Sequence, residues 1–357
     1  MLAHRFLTKK FAGVIFALDL CGILIFGLWP FGAPPNDVSW IAGQDAIRLG
    51  KRGTVLSLGS SADMSSCTLE MLLRPTFSDD SSTVLAFYGP HGTVGLSLHQ
   101  SLTDLRLDNE LGQIRRSSRY VNRVFRVGLP VFLGIVTEAE GTAVYVDGAL
   151  ARQFPGFRSA EPCSGSFVVG DSPRDNDTWQ GEFQGLAIYR DAISPAQMGL
   201  DYKSWLNQAR PLESPRRADS LYLFNEQSGR LIRDYGTSGI DLQIPERYVI
   251  TRQVLLESPL RAFEPTAGYV EDLVINILGF APFGVTLYAF LFAWGRRRHL
   301  GTVVVIAGLL TSLVIEATQS NLPTRDSDLT DVITNTLGTC LGVYLISRAA
   351  RLWLKPD

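Results

Sequence analysis

Residues 11–31 read FAGVIFALDLCGILIFGLWPF, and Asp19 is the one charged side chain among them. At a rise of ~1.5 Å per residue, a helix of this length covers about 30 Å, which is the thickness of the hydrocarbon core of a bilayer. Arg5, Lys9 and Lys10 precede it, and basic residues favour the cytoplasmic side of a membrane. The stretch therefore predicts a membrane-spanning helix with a cytoplasmic N-terminus.

A cleaved signal peptide is the alternative interpretation of this stretch. It is less favoured because the apolar run is long for a signal peptide, and because residues 29–33 (WPFGA) do not place small residues at both positions that cleavage requires. Asp19 lies roughly 12 Å from the inner end of the helix, so we expect it to make its own hydrogen bond in the protein interior.

Three more apolar segments follow, at about 273–294, 300–318 and 329–347. If the first helix runs outward, the second runs inward and must end at positive charge, as must the fourth. The second is followed by Arg296, Arg297 and Arg298, and the fourth by Arg348, Arg351 and Lys355. The positive-inside rule then predicts a multi-pass protein of the bacterial inner membrane, with both termini cytoplasmic. Residues from about 33 to 268 and the loop at 319–328 are predicted to be extracytoplasmic.

The average composition, 46% hydrophobic and 19% charged, hides two different kinds of sequence. The apolar residues are concentrated near the N-terminus and in the last quarter, whereas residues 36–262 have an ordinary globular composition. The net charge is −2, and no basic excess is interleaved with aromatic residues. The sequence therefore gives no indication of nucleic-acid binding.

The middle of the chain carries short β-rich runs separated by turn residues, and this spacing predicts an antiparallel β-sandwich of the jelly-roll type over residues 34–210. The predicted strands include 54–58, 68–73, 83–88, 94–98, 131–136, 167–170 and 181–189. In residues 142–151 (TAVYVDGALA), Asp147-Gly148 predicts a hairpin turn with positive φ. The predicted fold is an α + β membrane hybrid, with four transmembrane helices and an extracytoplasmic sandwich.

Residues 45–205 resemble the LamG-like branch of the concanavalin A-like lectins and glucanases. The resemblance rests on YVDG at 145–148, on the strand end Val169-Gly170, and on GEFQGLAIY at 181–189 before ISPAQ at 193–197. It implies binding of a glycan or a protein, in some members with calcium. The paired carboxylates of a glucanase are not evident. Asp171, Asp175 and Asp177 are the calcium candidates, although an ordinary solvated loop is the favoured alternative and no other cofactor is expected.

Cys67 and Cys163 both fall in this middle region, and a disulfide between them is chemically sensible if the region is extracytoplasmic. Two separate buried thiols are the alternative. Residues 211–267 form a predicted β-rich extension and linker, in which 222–229 (YLFNEQSG) resembles the opening of another LamG-type unit. We expect the extension to pack on the sandwich or on the membrane surface.

The C-terminal bundle, residues 268–357, carries polar side chains at helical spacing. Such spacing places each set on one helix face, and ionisable groups at membrane depth must face the bundle interior. Three helices are thus expected to deliver polar groups to one layer below the outer surface, with Arg325 forming a bidentate pair with Glu316 or Asp331. The set comprises Asp272, Asn276, Glu316, Gln319, Arg325, Asp328, Asp331 and Asn335.

These residues resemble the VanZ family, known for a teicoplanin-resistance membrane protein whose biochemical mechanism is not established. The resemblance covers about 268–348 and follows the family's order of Asn-x3-Phe-x-Pro-Phe-Gly, Glu-x2-Gln and Arg-x2-Asp-x2-Asp-x3-Asn-x2-Gly, which begin here at Asn276, Glu316 and Arg325. The inserted sandwich departs from the family pattern and suggests recognition of something in the cell envelope. Gly338 and Gly342 are expected to pack helices rather than to bind a ligand.

Three functions are compatible with this pattern. In the first, the sandwich binds an envelope glycan or protein, and the polar layer binds a membrane lipid or a lipid-linked saccharide through its headgroup. In the second, Glu316 or Asp331 acts as the acid or base of an enzyme with a lipid-linked substrate. The third is an inert membrane anchor that displays the sandwich. No nucleophile motif or set of metal ligands points to a particular reaction.

Overall fold

The structure, a computed structural model, describes residues 2–62, 64–79, 81–89, 94–111, 115–158, 163–174, 176–206, 217–259, 267–295 and 298–353. The chain divides into two compact units. One unit is Pro34–Arg252, and the other combines Met1–Ala33 with Gln253–Asp357. The helices are α1 Leu2–Leu28, α2 Pro195–Leu206, α3 Ala267–Ala293, α4 Leu300–Gln319 and α5 Leu329–Trp353.

The unit Pro34–Arg252 is an antiparallel β-sandwich. Its strands are β1 Val38–Trp40, β2 Ile47–Leu49, β3 Val55–Ser57, β4 Cys67–Pro75, β5 Ser82–Tyr88, β6 Val94–Ser101, β7 Asp104–Leu111, β8 Arg115–Val121, β9 Val131–Glu138, β10 Gly141–Val146, β11 Ala149–Pro155, β12 Ser166–Val169, β13 Gly181–Tyr189, β14 Ser220–Tyr222, β15 Leu231–Ile232 and β16 Leu242–Gln243. The first sheet has the order β1-β2-β13-β4-β9-β10-β11, with β14 also paired to β13. The second has the order β15-β16-β3-β12-β5-β6-β7-β8.

The core lies between the two sheets and is built by strand alternation. Leu105 and Leu107 of β7 point into it, as do Leu96 and Leu98 of β6, because every second side chain of a strand faces the same side. The predicted jelly-roll class is confirmed. The hairpin at Asp147-Gly148 is also present, with φ of 51° and 77° at the two residues.

Helix α2 is a feature of the sandwich that its β-rich sequence did not suggest. Helix α2 begins at Pro195, a residue favoured in the first turn of a helix, and packs Met198 and Trp205 against the outer side of the first sheet. There the indole of Trp205 donates to Glu70 Oε2 at 2.9 Å. The extension predicted at 211–267 contributes β14 to the first sheet and β15 and β16 to the second.

The predicted disulfide between Cys67 and Cys163 is confirmed, and the two Cα atoms lie 6.2 Å apart. Cys67 begins β4 in the first sheet, and Cys163 lies just before β12 in the second. Both residues are buried in the core. The bond therefore ties the two sheets together across a sequence separation of 96 residues.

The other unit is a helical bundle. Among its described residues, four segments are long and apolar enough to cross a membrane: Lys9–Leu28, Tyr269–Ala293, Leu300–Gln319 and Leu329–Ala349. Helix α1 ends at Leu28, three residues before the predicted end at 31, because Trp29 precedes Pro30 and a residue before proline disfavours the helical conformation. Of the basic residues used for orientation, Arg296, Arg297 and Lys355 lie outside the described residues.

Close helix packing accounts for the small residues of the bundle. A Cβ atom at Gly338 or Gly342 would collide with the carbonyl oxygens of Ile277 and Ala281, so these glycines let α5 approach the backbone of α3. Asp19 makes its own hydrogen bond, as predicted: it accepts from the hydroxyl of Thr286 at 2.8 Å.

Replacing both disulfide cysteines with serine should destabilise the sandwich. Without the bond, the unfolded chain regains the entropy of a loop of nearly 100 residues, which corresponds to about 4.7 kcal/mol. We expect a lower midpoint of chemical unfolding for C67S/C163S, measured on the full chain in detergent. The matched control is C21S/C340S, because Cys21 and Cys340 are free and exposed. Equal midpoints for the two double variants would contradict a stabilising role of the bond.

Candidate functional site

A polar layer connects three helices of the bundle at the end where α5 begins. The amide of Asn276 on α3 donates to Asp331 Oδ1 on α5 at 2.8 Å. One turn further along α5, the amide of Asn335 donates to Ser312 Oγ on α4 at 2.9 Å. We use the name polar layer for Asn276, Ser312, Glu316, Gln319, Asp328, Asp331 and Asn335.

Glu316 is the most deeply buried acid of the layer, with 1% of its surface exposed. Its Oε2 atom accepts from the backbone N–H of Asp328 at 2.9 Å, and the Ser327 hydroxyl also hydrogen-bonds to this carboxyl group. Asp328 immediately precedes α5, whose first N–H groups have no partner within the helix. The carboxyl group therefore occupies the positive end of a helix dipole.

Three buried oxygen atoms of the layer have no hydrogen-bond donor within the part of the chain that the structure describes. They are Gln319 Oε1, Asp328 Oδ1 and Asn335 Oδ1. Gln319 and Asn335 are 8% and 4% exposed, and each already uses its amide nitrogen, Gln319 on the carbonyl of Gly27 at 2.8 Å. A buried acceptor without a donor costs about 1–3 kcal/mol, so this layer favours a partner that donates hydrogen bonds.

The prediction that Arg325 pairs with Glu316 or Asp331 is wrong. Its guanidinium donates instead to the carbonyl oxygen of Phe26 at 3.0 Å and to that of Trp29 at 2.8 and 3.0 Å. These carbonyls lie at the C-terminal end of α1, where the last groups of a helix lack partners and the dipole attracts a cation. The arginine thus fastens α1 to the loop between α4 and α5.

A short extended segment covers the start of α5. The backbone N–H of Glu257 donates to the carbonyl of Ser327 at 2.8 Å, and that of Leu329 donates to the carbonyl of Glu257 at 3.0 Å. Asp328 lies between them. Its burial, together with the negative charges of Asp331, Glu257 and Asp326, raises the pKa of Asp328 to about 7.

The remaining predicted residues lie apart from the layer's interior. Asp272, near the start of α3, is exposed, and its negative charge interacts with the carboxyl group of Asp331. Of the calcium candidates, Asp177 accepts from the hydroxyl of Thr83 at 2.8 Å, Asp171 is fully buried, and Asp175 lies outside the described residues. Among the residues with described positions, no three His, Cys, Asp or Glu side chains are arranged to hold a metal ion.

The second sheet of the sandwich carries a polar cluster that the sequence analysis missed. His99 of β6 has Thr83 Oγ1 at 3.0 Å and Asp177 Oδ2 at 3.5 Å from Nδ1, and Asp108 Oδ2 at 3.3 Å from Nε2. Arg106 Nε lies 3.1 Å from the same Asp108 oxygen. Burial lowers the pKa of the His99 ring, against the opposing effect of Asp177.

The cluster lies on the face of the second sheet that is turned away from the core. Alternation with the core leucines places His99, Arg106 and Asp108 there. The pattern Arg106-x-Asp108 on a strand was a usable sequence signal. Ser312, four residues before Glu316 on α4, was also detectable by spacing. Glu257 was not, since its contact with α5 joins segments distant in sequence.

Changing Asp328 should reduce the effect of pH on stability. Because the folded state holds the Asp328 pKa above the ordinary value for aspartate, folding binds a proton between about pH 4 and 7, and stability falls as pH rises through this window. We expect D328N to lose less thermal stability than the wild type between about pH 5 and 8. The control is E140Q, because Glu140 is exposed and is not among the charges that act on Asp328, and an identical pH response of the two variants would refute this assignment.

Comparisons with known proteins match two regions of the chain. Residues 221–352 match the VanZ/LLP1 family, and residues 49–198 match the concanavalin A-like lectin/glucanases superfamily. The first match begins within the sandwich unit and continues through the bundle. No curated protein matches the chain.

Several solved structures are similar to the sandwich at low identity. A putative carbohydrate binding protein from Bacteroides ovatus is 13% identical, with a TM-score of 0.41, and the match covers 62% of this chain and 62% of that one. The CBM40 of an IT-sialidase from Ruminococcus gnavus, bound to α2,3-sialyllactose, is 11% identical, with a TM-score of 0.35 and coverage of 47% of this chain and 98% of that one. A SAP-like pentraxin from Limulus polyphemus is 11% identical, with a TM-score of 0.36 and coverage of 47% and 78%.

Such values concern the fold of the sandwich alone. The two family matches agree with both resemblances found in the sequence. Four apolar helices, three of them within the VanZ-like region, mark a membrane protein. The chain therefore combines a VanZ-like C-terminal region with a concanavalin A-like sandwich domain.

Proposed function

We propose that this inner-membrane protein binds the headgroup of a lipid or lipid-linked saccharide at the polar layer, and holds its sandwich outside the cytoplasm to bind an envelope glycan or protein. The observation that carries the proposal is the set of three buried acceptor oxygens without donors, on Gln319, Asp328 and Asn335. A headgroup that supplies donors would recover the free energy lost by burying them.

The distribution of charge supports a bundle whose polar layer lies at the end away from the cytoplasm. Lys9 lies over the ring of Trp294, which places the start of α1 and the end of α3 at the same end of the bundle. The start of α4 and the basic end of α5 belong to that end too, and basic residues favour the cytoplasm. The polar layer belongs to the opposite end. The disulfide fits an oxidising, extracytoplasmic location for the sandwich.

The hydrogen-bond donors and acceptors of the polar layer indicate which kind of ligand would bind there. Carboxyl and amide oxygens predominate, and the nearest guanidinium, that of Arg325, is engaged by helix carbonyls. A phosphate would therefore meet acceptors rather than donors. Hydroxyl or amine groups of a headgroup fit better, because each can donate to the unpartnered oxygens.

The outer face of the second sheet is the region of the sandwich that we propose for glycan binding. Tyr120 offers an exposed aromatic ring there, and Arg106, whose guanidinium lies against Asp108, is paired opposite it on β7. Sugars present hydroxyl groups and an apolar ring face, which such a combination can contact. The family match of residues 49–198 supports the same role.

Removing two acceptors from the layer should release bound lipid. We expect Q319L/N335L to retain about tenfold less co-purified lipid than the wild type, which corresponds to ~1.4 kcal/mol of binding free energy. The measurement is mass spectrometry of lipids extracted from the purified full chain. T336V is the control, because the Thr336 hydroxyl bonds within its own helix, to the carbonyl of Val332. Equal lipid content in all three proteins would sink the proposal.

Glu316→Gln separates binding from catalysis at the same layer. The glutamine oxygen still accepts from the N–H of Asp328, so a binding protein should keep its abundance and its lipid. Loss of a cellular phenotype at normal abundance and lipid content would instead assign acid–base work to Glu316. An unchanged phenotype for both E316Q and Q319L/N335L would indicate an inert anchor.

Glycan binding should depend on Tyr120 and Arg106. We expect R106A/Y120A to lose the glycan-array signal of the full chain in lipid nanodiscs, while Y235A keeps it. Tyr235 is a matched control because it is similarly exposed and lies outside this face. A wild-type protein that binds no glycan would redirect the search to a protein partner of the sandwich.

A further inference from the structure

Both chain connections of the sandwich leave from the same end of it. The backbone N–H of Tyr248 donates to the carbonyl of Pro34 at 2.9 Å, so the first and last segments of this unit lie side by side. Asp37 donates to the carbonyl of Arg52 at 2.9 Å, and Arg252 to that of Pro173 at 2.8 Å. We call this the tether end, because the segments 34–37 and 248–252 lead to α1 and α3.

Three further loops, residues 76–79, 102–103 and 122–130, belong to the tether end. Strand register places them there: Gly181 of β13 pairs with both Leu49 of β2 and Pro75 of β4, so the residues that follow Leu49 and Pro75 emerge at one end. The start of β9 lies at that end too, because Val131 pairs with Leu73.

These loops expose large apolar side chains. Phe77 is 50% exposed, Leu102 53%, Val127 55% and Leu129 53%. Single exposed apolar residues are common on protein surfaces, whereas several gathered on adjoining loops indicate an interaction site.

Backbone hydrogen bonds hold the three loops together. Leu102 donates to the carbonyl of Asp79, and Phe125 to that of Thr103, both at 2.8 Å. Gly128 donates to the carbonyl of Pro75, also at 2.8 Å. The apolar side chains are thus presented by a connected platform rather than by separate loops.

Leu102 occupies a costly backbone conformation. It lies in the two-residue turn between β6 and β7, with φ of 53°, in the left-handed region that glycine and asparagine usually occupy in such turns. A bulky residue in that region is strained. A leucine at an exposed turn tip therefore adds strain and exposure without contributing to the core, which points to a role outside folding.

The platform also carries positive charge. Arg123 and Arg126 are exposed on the loop that bears Val127, and Lys51 is exposed on the loop after β2. Apolar side chains flanked by lysine and arginine match a lipid surface, where acyl chains lie beneath anionic headgroups. A soluble partner protein would not explain why this platform lies where the chain leads to the membrane helices.

We propose that the platform formed by Phe77, Leu102, Val127 and Leu129 docks on the lipid surface of the protein's own membrane, with Arg123 and Arg126 contacting anionic headgroups. The sandwich is then held against the bilayer rather than suspended on its two connections. Its opposite end, and the polar face of its second sheet, remain available to envelope partners.

The test attaches an environment-sensitive fluorophore to single cysteines of the full chain. In a C21S/C340S background with the native disulfide intact, L102C and V127C are labelled and reconstituted in vesicles of phosphatidylcholine with phosphatidylglycerol. We expect blue-shifted emission that lipids with brominated acyl chains quench, because such quenching requires contact with the hydrocarbon. Adding R123E/R126E should reduce the quenching.

The control label is at Ala139, in the exposed turn between β9 and β10 at the opposite end of the sandwich. That label should show neither effect. Labels at Leu102 and Val127 that behave like the one at Ala139 would overturn the proposal, since closeness to the membrane through the connections alone does not bring a fluorophore into contact with acyl chains. The native pair Cys67–Cys163 does not react with the label while it is oxidised.

Discussion

A carboxyl group buried among apolar helices must be matched by donors, and Glu316 finds them at the start of α5. The N–H of Asp328 and the hydroxyl of Ser327 both serve its carboxyl group. This requirement fixes where the loop after α4 turns back and where α5 begins. The depth of Asp331 and Asn335 follows from that point, because each is a set number of residues along the helix.

In the layer that results, the amide donors are paired, whereas three buried acceptor oxygens are not. The amide of Asn276 donates to Asp331, and that of Asn335 donates to Ser312, so both amide nitrogens are used within the bundle. The oxygens left over are acceptors, and a purely structural network would have paired them. The imbalance between donors and acceptors is the physical basis of the proposed ligand binding.

Helical spacing predicted the layer because positions three or four residues apart must share a face. Arg325 was mispredicted for a reason that spacing cannot reveal: the carbonyls ending α1 compete for its guanidinium, and only the packed bundle brings them close. In the sandwich, β7 and β8 were missed because their sequences, DLRLDNEL and RRSSRYV, are rich in charge. Their pairing partners, rather than their composition, make them strands.

The hydrogen bond between Pro34 and Tyr248 brings the first and last segments of the sandwich together. A domain whose first and last residues meet can be inserted into a helical protein at one interhelical loop without stretching that loop. Replacing the sandwich with a different domain, or with a short peptide, would leave the lengths of the flanking helices unchanged. One bundle chemistry can in this way be combined with many exterior modules.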